Sequence, residues 1–447
     1  MENQQLQDQL HRFGGGATSS TITPATLALV AAAILLFFLL PRKYISVPFL
    51  FVSMFIPFAQ VVVLGGLHFM VFRLMLPFAW LRVIGGKVSG RLDESFRFSG
   101  IDKAIVLWAL ADVVCFTLLW GSWKAFVNRL GFLYDVFGIY FLLRFLIRDR
   151  EDVNRIIRTL AVICALVAVF MVREQLTGRN VFSIFGGVPE FTQIREGRLR
   201  SQAAFAVAIL AGTLGATLLP LFIGLWWQKG RAKITSGLGV LSALIIILTS
   251  SSATPVLASL AGIVALCMWP IRRRMRLFRW AVVIYLIGLH LVMKAPVWAL
   301  IGRVNVVSGA SGYHRSELIN KAILHFGDWW LMGARNPSDW GFEMGDVTNA
   351  YVDAATTGGL LTLVLFLGIL WQSFRALGIA RKAAERDRKS ELMLWAFGAA
   401  LFANVTAFIG ITYFDQTSLV WYSFLAMIGA ITSSTAELNT IGFSKLT

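Results

Sequence analysis

The feature that most limits how this chain can fold is its succession of apolar runs. Most are about 17 to 25 residues long, the length an α-helix needs to cross ~30 Å of hydrocarbon. They lack the alternation of apolar and polar residues that a barrel strand shows. Segments near 24–40, 45–63, 68–84, 103–120, 131–147, 155–172, 202–226, 234–250, 253–270, 280–300, 348–372, 392–412 and 417–434 read as spans. With 57% hydrophobic and 15% charged residues over 447 positions, an ordinary soluble protein is excluded. The expected fold is all-α: a polytopic integral membrane protein of about 12–13 transmembrane helices, one membrane domain over 1–447 with no internal repeat.

A net charge of +17 would suggest nucleic acid in a soluble chain. Here the basic residues fall in short runs between spans, such as RRRMR at 272–276, so the expected partners are membrane lipids and not nucleic acid. Placing Arg42 and Lys43, the basic residues from Arg82 to Lys103, those from Arg148 to Arg158, Lys229 to Lys233, the 272–279 run and Arg375 to Lys389 in the cytoplasm obeys the positive-inside rule at every turn. The N-terminus is then outside and the C-terminus inside. If one early span were re-entrant, only the N-terminus would change sides. Two long connections face outward: a first loop over 173–201 and a larger one over 301–347, expected to be structured. Cys115, Cys164 and Cys267 lie in apolar segments and read as packing residues. The polar start lacks the basic region of a signal peptide, so the first span is expected to be retained.

Chemistry concentrates in the two outer loops. IREGRLR places Arg195, Arg198 and Arg200 at the mouth of the seventh span, and the second loop adds Arg303, His314, Arg315 and Glu317. Arginine on an outer face runs against the topological bias, and planar guanidinium groups suit the paired oxygens of a diphosphate. Taken singly, each of these arginines is better explained by a lipid phosphate; as a set, with acids and a histidine among them, they favour a polyanionic lipid-linked ligand. Farther on, Asp339, Glu343, Asp346, Asn349 and Tyr351 precede an apolar run. Asp346, Asn349 and Asp353 fall on one helix face, with Asp346 placed to cap it, and Gly358 and Gly359 are expected to let helices pack closely. Trp329, Trp330 and Trp340 are candidate platforms for sugar rings or interfacial anchors. Within the spans, Arg73 is expected to bridge Asp112, Asp135 or both, and Arg144 to snorkel. The DRED run at 149–152 reads as a solvated connector rather than a metal site.

In layout, GRLRSQAAFAVAILAG at 197–212, TSSSATPVLASLAG at 249–262 and the loop from GRVNVVSGASGYHRSELI to DVTNAYVDAATTGGLL resemble the O-antigen ligase and O-antigen polymerase superfamily of bacterial envelope proteins. The resemblance implies a GT-C-like membrane glycosyltransferase of the bacterial inner membrane, active on the periplasmic face. It implies a metal-independent enzyme without cofactor. Its donor would be a glycan on undecaprenyl diphosphate, and its acceptor a sugar hydroxyl on a growing polysaccharide or lipid A core. Arg198, Arg200, Arg303 and Arg315 would bind the diphosphate. Asn349, Tyr351 and Trp340 would meet the acceptor or glycan. The family's histidine before Asn349 is replaced here by Thr348, and Ala203, Val207 and Ala208 depart from its middle-span pattern. Threonine is no general base near neutral pH, so either Asp346, Glu343 or His314 takes that role or the chain is a divergent or inactive member. The departures point toward a polymerase or general exopolysaccharide enzyme. The rival readings are a transporter or flippase for an anionic or lipid-linked substrate and a catalytically silent envelope scaffold.

Overall fold

A computed structural model describes residues 20–88, 98–228, 232–303, 311–341 and 343–444. Helix α1 (Pro24–Leu39) starts where the Thr23 side chain accepts from the Thr26 amide and proline occupies the first turn. The short α2 (Ser46–Phe55) follows, then an antiparallel hairpin of β1 (Val61–Leu64) and β2 (Leu67–Met70). The sequence predicted a continuous span over 45–63. Instead Pro57 holds Ile56 in an extended conformation and ends α2 after ten residues, ~15 Å of rise. The β-branched run that follows pairs as a strand, turning at Gly65 and Gly66.

Four long helices come next: α3 (Val71–Val88), α4 (Gly100–Trp120), α5 (Trp123–Leu146) and α6 (Arg150–Thr177). A second hairpin, β3 (Gln193–Arg195) and β4 (Arg198–Arg200), leads into α7 (Ala208–Leu225), α8 (Ala232–Thr249) and α9 (Ala253–Cys267). After α10 (Met275–Val292), three shorter helices, α11 (Ala299–Arg303), α12 (Ser311–Leu324) and α13 (Phe326–Trp329), form a cap. The chain closes with α14 (Ala350–Ala383), α15 (Arg388–Ala407) and α16 (Gln416–Ser444). Among the described residues eight helical segments are long and apolar enough to cross a membrane: α4 to α8, Trp269–Val292, α14 and α15. The protein is thus an all-α, multi-pass membrane architecture.

Helix ends gather on two faces. One joins Thr21 to Ala59 and Val61, Gln60 to Phe185, Gln416 to Ile56 and Ala204, and Arg335 to Leu119; it carries both hairpins and the cap, and is called the loop face below. The opposite, basic face is tied by ion pairs, Arg42 and Arg155 to Asp152 and Arg272 and Arg381 to Glu391. In the DRED run, Asp149 caps α6 and Asp152 is buried in that ion-pair cluster, so the run is structural but only partly solvated.

Three arginines inside the helices are paired with acids, as the cost of burying charge favours. Arg73 Nε and Nη2 each reach Asp135 at 2.6 Å, and Asp112 pairs with Arg129 rather than Arg73, at 3.0 Å. Arg144 does not snorkel. It is buried, 3.5 Å from Asp102, with a hydrogen bond to Ser433.

Gly358 and Gly359 do more than allow close packing, because both leave helical geometry and break α14. The cap enters that break through its backbone: the Ala334 amide donates to Thr356 O (2.8 Å) and the Leu360 amide to Trp330 O (2.9 Å). Gly333, at φ 103°, lies so close that a Cβ there would stand 2.2 Å from Thr356 O. Gly333→Ala is therefore expected to undock the cap, since the left-handed φ alone costs about 1–3 kcal/mol. Limited proteolysis should show new cleavage between 311 and 349 with the helical core intact; an unchanged digest would refute the docking role.

Candidate functional site

The β3–β4 hairpin turns through Glu196 (φ 50°) and Gly197 (φ 72°), the two-residue geometry with both central residues left-handed that matches strand twist. The register pairs Gln193 with Arg200 and Arg195 with Arg198. Cross-strand partners and alternate residues share a face, so Gln193, Arg195, Arg198 and Arg200 stand on one side and Ile194 and Leu199 on the other.

The hairpin base is stitched to the turn between α8 and α9: the Ser201 amide donates to Thr249 O (3.1 Å), and Ser251 Oγ donates to Leu199 O (2.9 Å). This brings Arg200 Nη2 to Ser252 Oγ at 2.8 Å. From the cap, Arg315 Nη2 reaches Thr254 Oγ1 at 2.7 Å. Two residues apart on one turn, Ser252 and Thr254 thus each receive an arginine, one from each long connection. Gly410 closes over Arg315; a Cβ there would lie 2.9 Å from its Nε.

The electrostatics are those of an unfilled demand for negative charge. Burial, and then the Arg195 charge, lowers the pKa of Arg200; the same two causes in the same order lower Arg315 to about 10. No acid is among the groups acting on either. Among the described residues Arg200 Nε is buried without a hydrogen bond, and the guanidinium of Arg315, 7% exposed, hydrogen-bonds only to Thr254. Both stay protonated at neutral pH, and a bound anion would relieve the desolvation that their charge suffers.

Of the residues singled out from sequence, Arg200 and Arg315 converge, and Arg195 rather than Arg198 or Arg303 supplies the third charge that acts on them. Arg198 is exposed on the same hairpin face. Arg303 ends α11, whose Gly302 packs against Ser316 of α12. Glu343 and Asp346 are exposed in one turn, and His314 Nε2 lies 3.2 Å from the backbone oxygen of Asp346. The cap of α14 is Asn349, not Asp346: its Oδ1 accepts from the amides of Tyr351 and Val352, while Nδ2 donates to Ile409 O. Tyr351 Oη donates to Val405 O. Trp340 is buried with Trp329 in the small core of the cap, stacked on His325, and Trp330 is exposed.

Sequence reasoning passed over the groups that hold the 201–206 loop. Glu174, buried at the end of α6, accepts from the amides of Gln202 (3.1 Å) and Ala203 (2.8 Å), and Asp415 accepts from Ala206 (2.9 Å). Burial pushes Asp415 up to about 7 against the pull of the Ala206 and Thr417 amides. An isolated acid beside an apolar run carries no local signal of such a role. Among the described residues no group of three or more metal-ligating side chains occurs. In comparisons with known proteins, no family model and no curated protein matches the chain.

Proposed function

We propose that the protein is a membrane glycosyltransferase of the O-antigen ligase and polymerase type, which moves a glycan from undecaprenyl diphosphate to a sugar hydroxyl at the periplasmic side of the bacterial inner membrane. One observation carries this reading: buried Arg315 and half-buried Arg200, from separate connections, stand beside a third arginine with no acidic counter-charge among the described residues. A diphosphate esterified to a lipid brings the missing negative charge to that depth. As the anomeric bond breaks, charge grows on the departing diphosphate. Guanidinium groups fixed by Ser252 and Thr254 meet it without reorganising, the kind of electrostatic stabilisation that contributes most in enzyme sites.

Because the arginines supply positive charge directly, purified protein is expected to transfer glycan from a lipid-linked oligosaccharide in the presence of EDTA. Strict dependence on an added divalent cation would sink the scheme. One feature favours a transporter instead, since broken helices line the sites of many carriers. In α14, however, the backbone groups next to the break are taken up by the cap, and the uncompensated arginines stand on one face only.

A further inference from the structure

Beside the arginine site lies a cavity of about 170 Å³, several times the ~30 Å³ share of one water. It is lined by Asp112 of α4, Arg129 of α5 and Asp353 of α14, with Trp108, Trp421 and Tyr422 among its aromatic walls. Arg129 is held firmly: Nη1 donates to Asp112 at 3.0 Å, and its Cζ lies 3.7 Å from the centre of the Phe116 ring. Asp353 differs. Its carboxylate accepts no hydrogen bond from any described residue, although the Arg129 and Asp112 charges both act on it. Two acids therefore share one cation in a pocket within the helical body, and one carboxylate faces the space with its acceptor capacity unused.

The cavity and the arginine site share a wall. Phe408, Thr412 and Tyr413 line the cavity, while Gly410, between them in sequence, packs on Arg315. Asn349 is tied to the same segment at Ile409 and starts the helix on which Asp353 lies one turn farther in.

We propose that this cavity holds the ring of the acceptor sugar and that Asp353 is the catalytic base. The chemistry of the lining fits a neutral polyol better than an ion: a carboxylate to take hydroxyl protons, a guanidinium to donate to sugar oxygens, and flat indole and phenol faces for the C–H side of a ring. The volume suits one ring, not an oligosaccharide. In the step, the acceptor oxygen attacks the anomeric carbon and forms the new C–O bond. The bond from that carbon to the phosphate oxygen breaks with its electron pair leaving on the diphosphate, and the hydroxyl proton passes to the Asp353 carboxylate. Asp353 thus fills the role left vacant by Thr348.

The inference rests on the glycosyl-transfer reading, so the test separates the two. Undecaprenyl diphosphate is added to purified protein in nanodiscs and thermal stabilisation is recorded alongside transfer kinetics for wild type, Asp353→Asn and Thr357→Met, the last filling the cavity from α14 without altering a charge. Asp353→Asn is expected to keep the prenyl-diphosphate shift, to lower kcat by ~10²- to 10⁴-fold and to lose the acidic limb of the pH profile. Thr357→Met is expected to raise the acceptor KM by ~10-fold or more with donor stabilisation intact, and it carries the test alone if the asparagine variant does not fold. Transfer by Asp353→Asn within about twofold of wild type, or an unchanged KM in Thr357→Met, would overturn the assignment and leave the donor site standing. A wild-type protein that neither responds to the prenyl diphosphate nor transfers glycan would remove both readings.

Discussion

Arg315→Ala is expected to lower transfer by ~10²- to 10³-fold, the usual loss when one fixed donor to a developing anion is removed, while the protein melts at the same temperature or higher. The two effects have opposite signs for a physical reason. Arg315 is buried, has one hydrogen bond among the described residues, to Thr254, and lies under the repulsion of Arg195. In the unliganded protein its charge is a burden, and alanine relieves it. With diphosphate bound, the same charge is compensated and productive. Arg315→Lys keeps the charge but loses the planar fork, so it should recover only part of the rate. Paired measurements of kcat/KM and melting temperature decide the matter. An alanine variant that is strongly destabilised yet turns over normally would show the arginine to be a structural strut.

A large loss of stability is expected at the opposite end of the molecule. Asp102 is fully buried and accepts from Tyr140 Oη (2.6 Å) and the Ser99 amide (2.5 Å), with Arg144 at 3.5 Å. Asp102→Ala breaks the capping box of α4 and takes the carboxylate away from the buried Arg144, at a loss of ~3–5 kcal/mol. Removing both charges, as in Asp102→Ala with Arg144→Met, should recover much of that loss, because the buried cation is removed together with the acid beside it. Thermal unfolding in detergent reads both. A single variant melting within about 1 °C of wild type would refute the pair's importance.

The helical membrane class was legible because spans are written in long contiguous runs, and α4 to α8, α14 and α15 fall where those runs do. What escaped was decided by single residues acting against local propensity. Pro57 turned one expected span into a short helix and a hairpin, and Gly359, at φ 75°, broke α14. At the site, IREGRLR and TSSSATP were both visible, yet nothing in either stretch says that Ser252 and Thr254 receive arginines from two distant loops. Nor does the first stretch say that Arg195, rather than its cross-strand partner Arg198, is the charge that acts on Arg200 and Arg315. Asp353 looked like one more polar position at a helix start. Its significance comes from Asp112 and Arg129, more than 200 positions earlier in the chain.

The cap's attachment to the broken helix is made of peptide groups: Ala334 to Thr356, Leu360 to Trp330, with Gly333 and Gly359 supplying the clearance. A joint of that kind is indifferent to most side-chain chemistry and intolerant of altered dihedral angles. Across related chains, evolution should therefore be free to rewrite the cap's outer surface as long as the two glycines survive. Mutational drift there would erase recognisable sequence long before it disturbed the architecture.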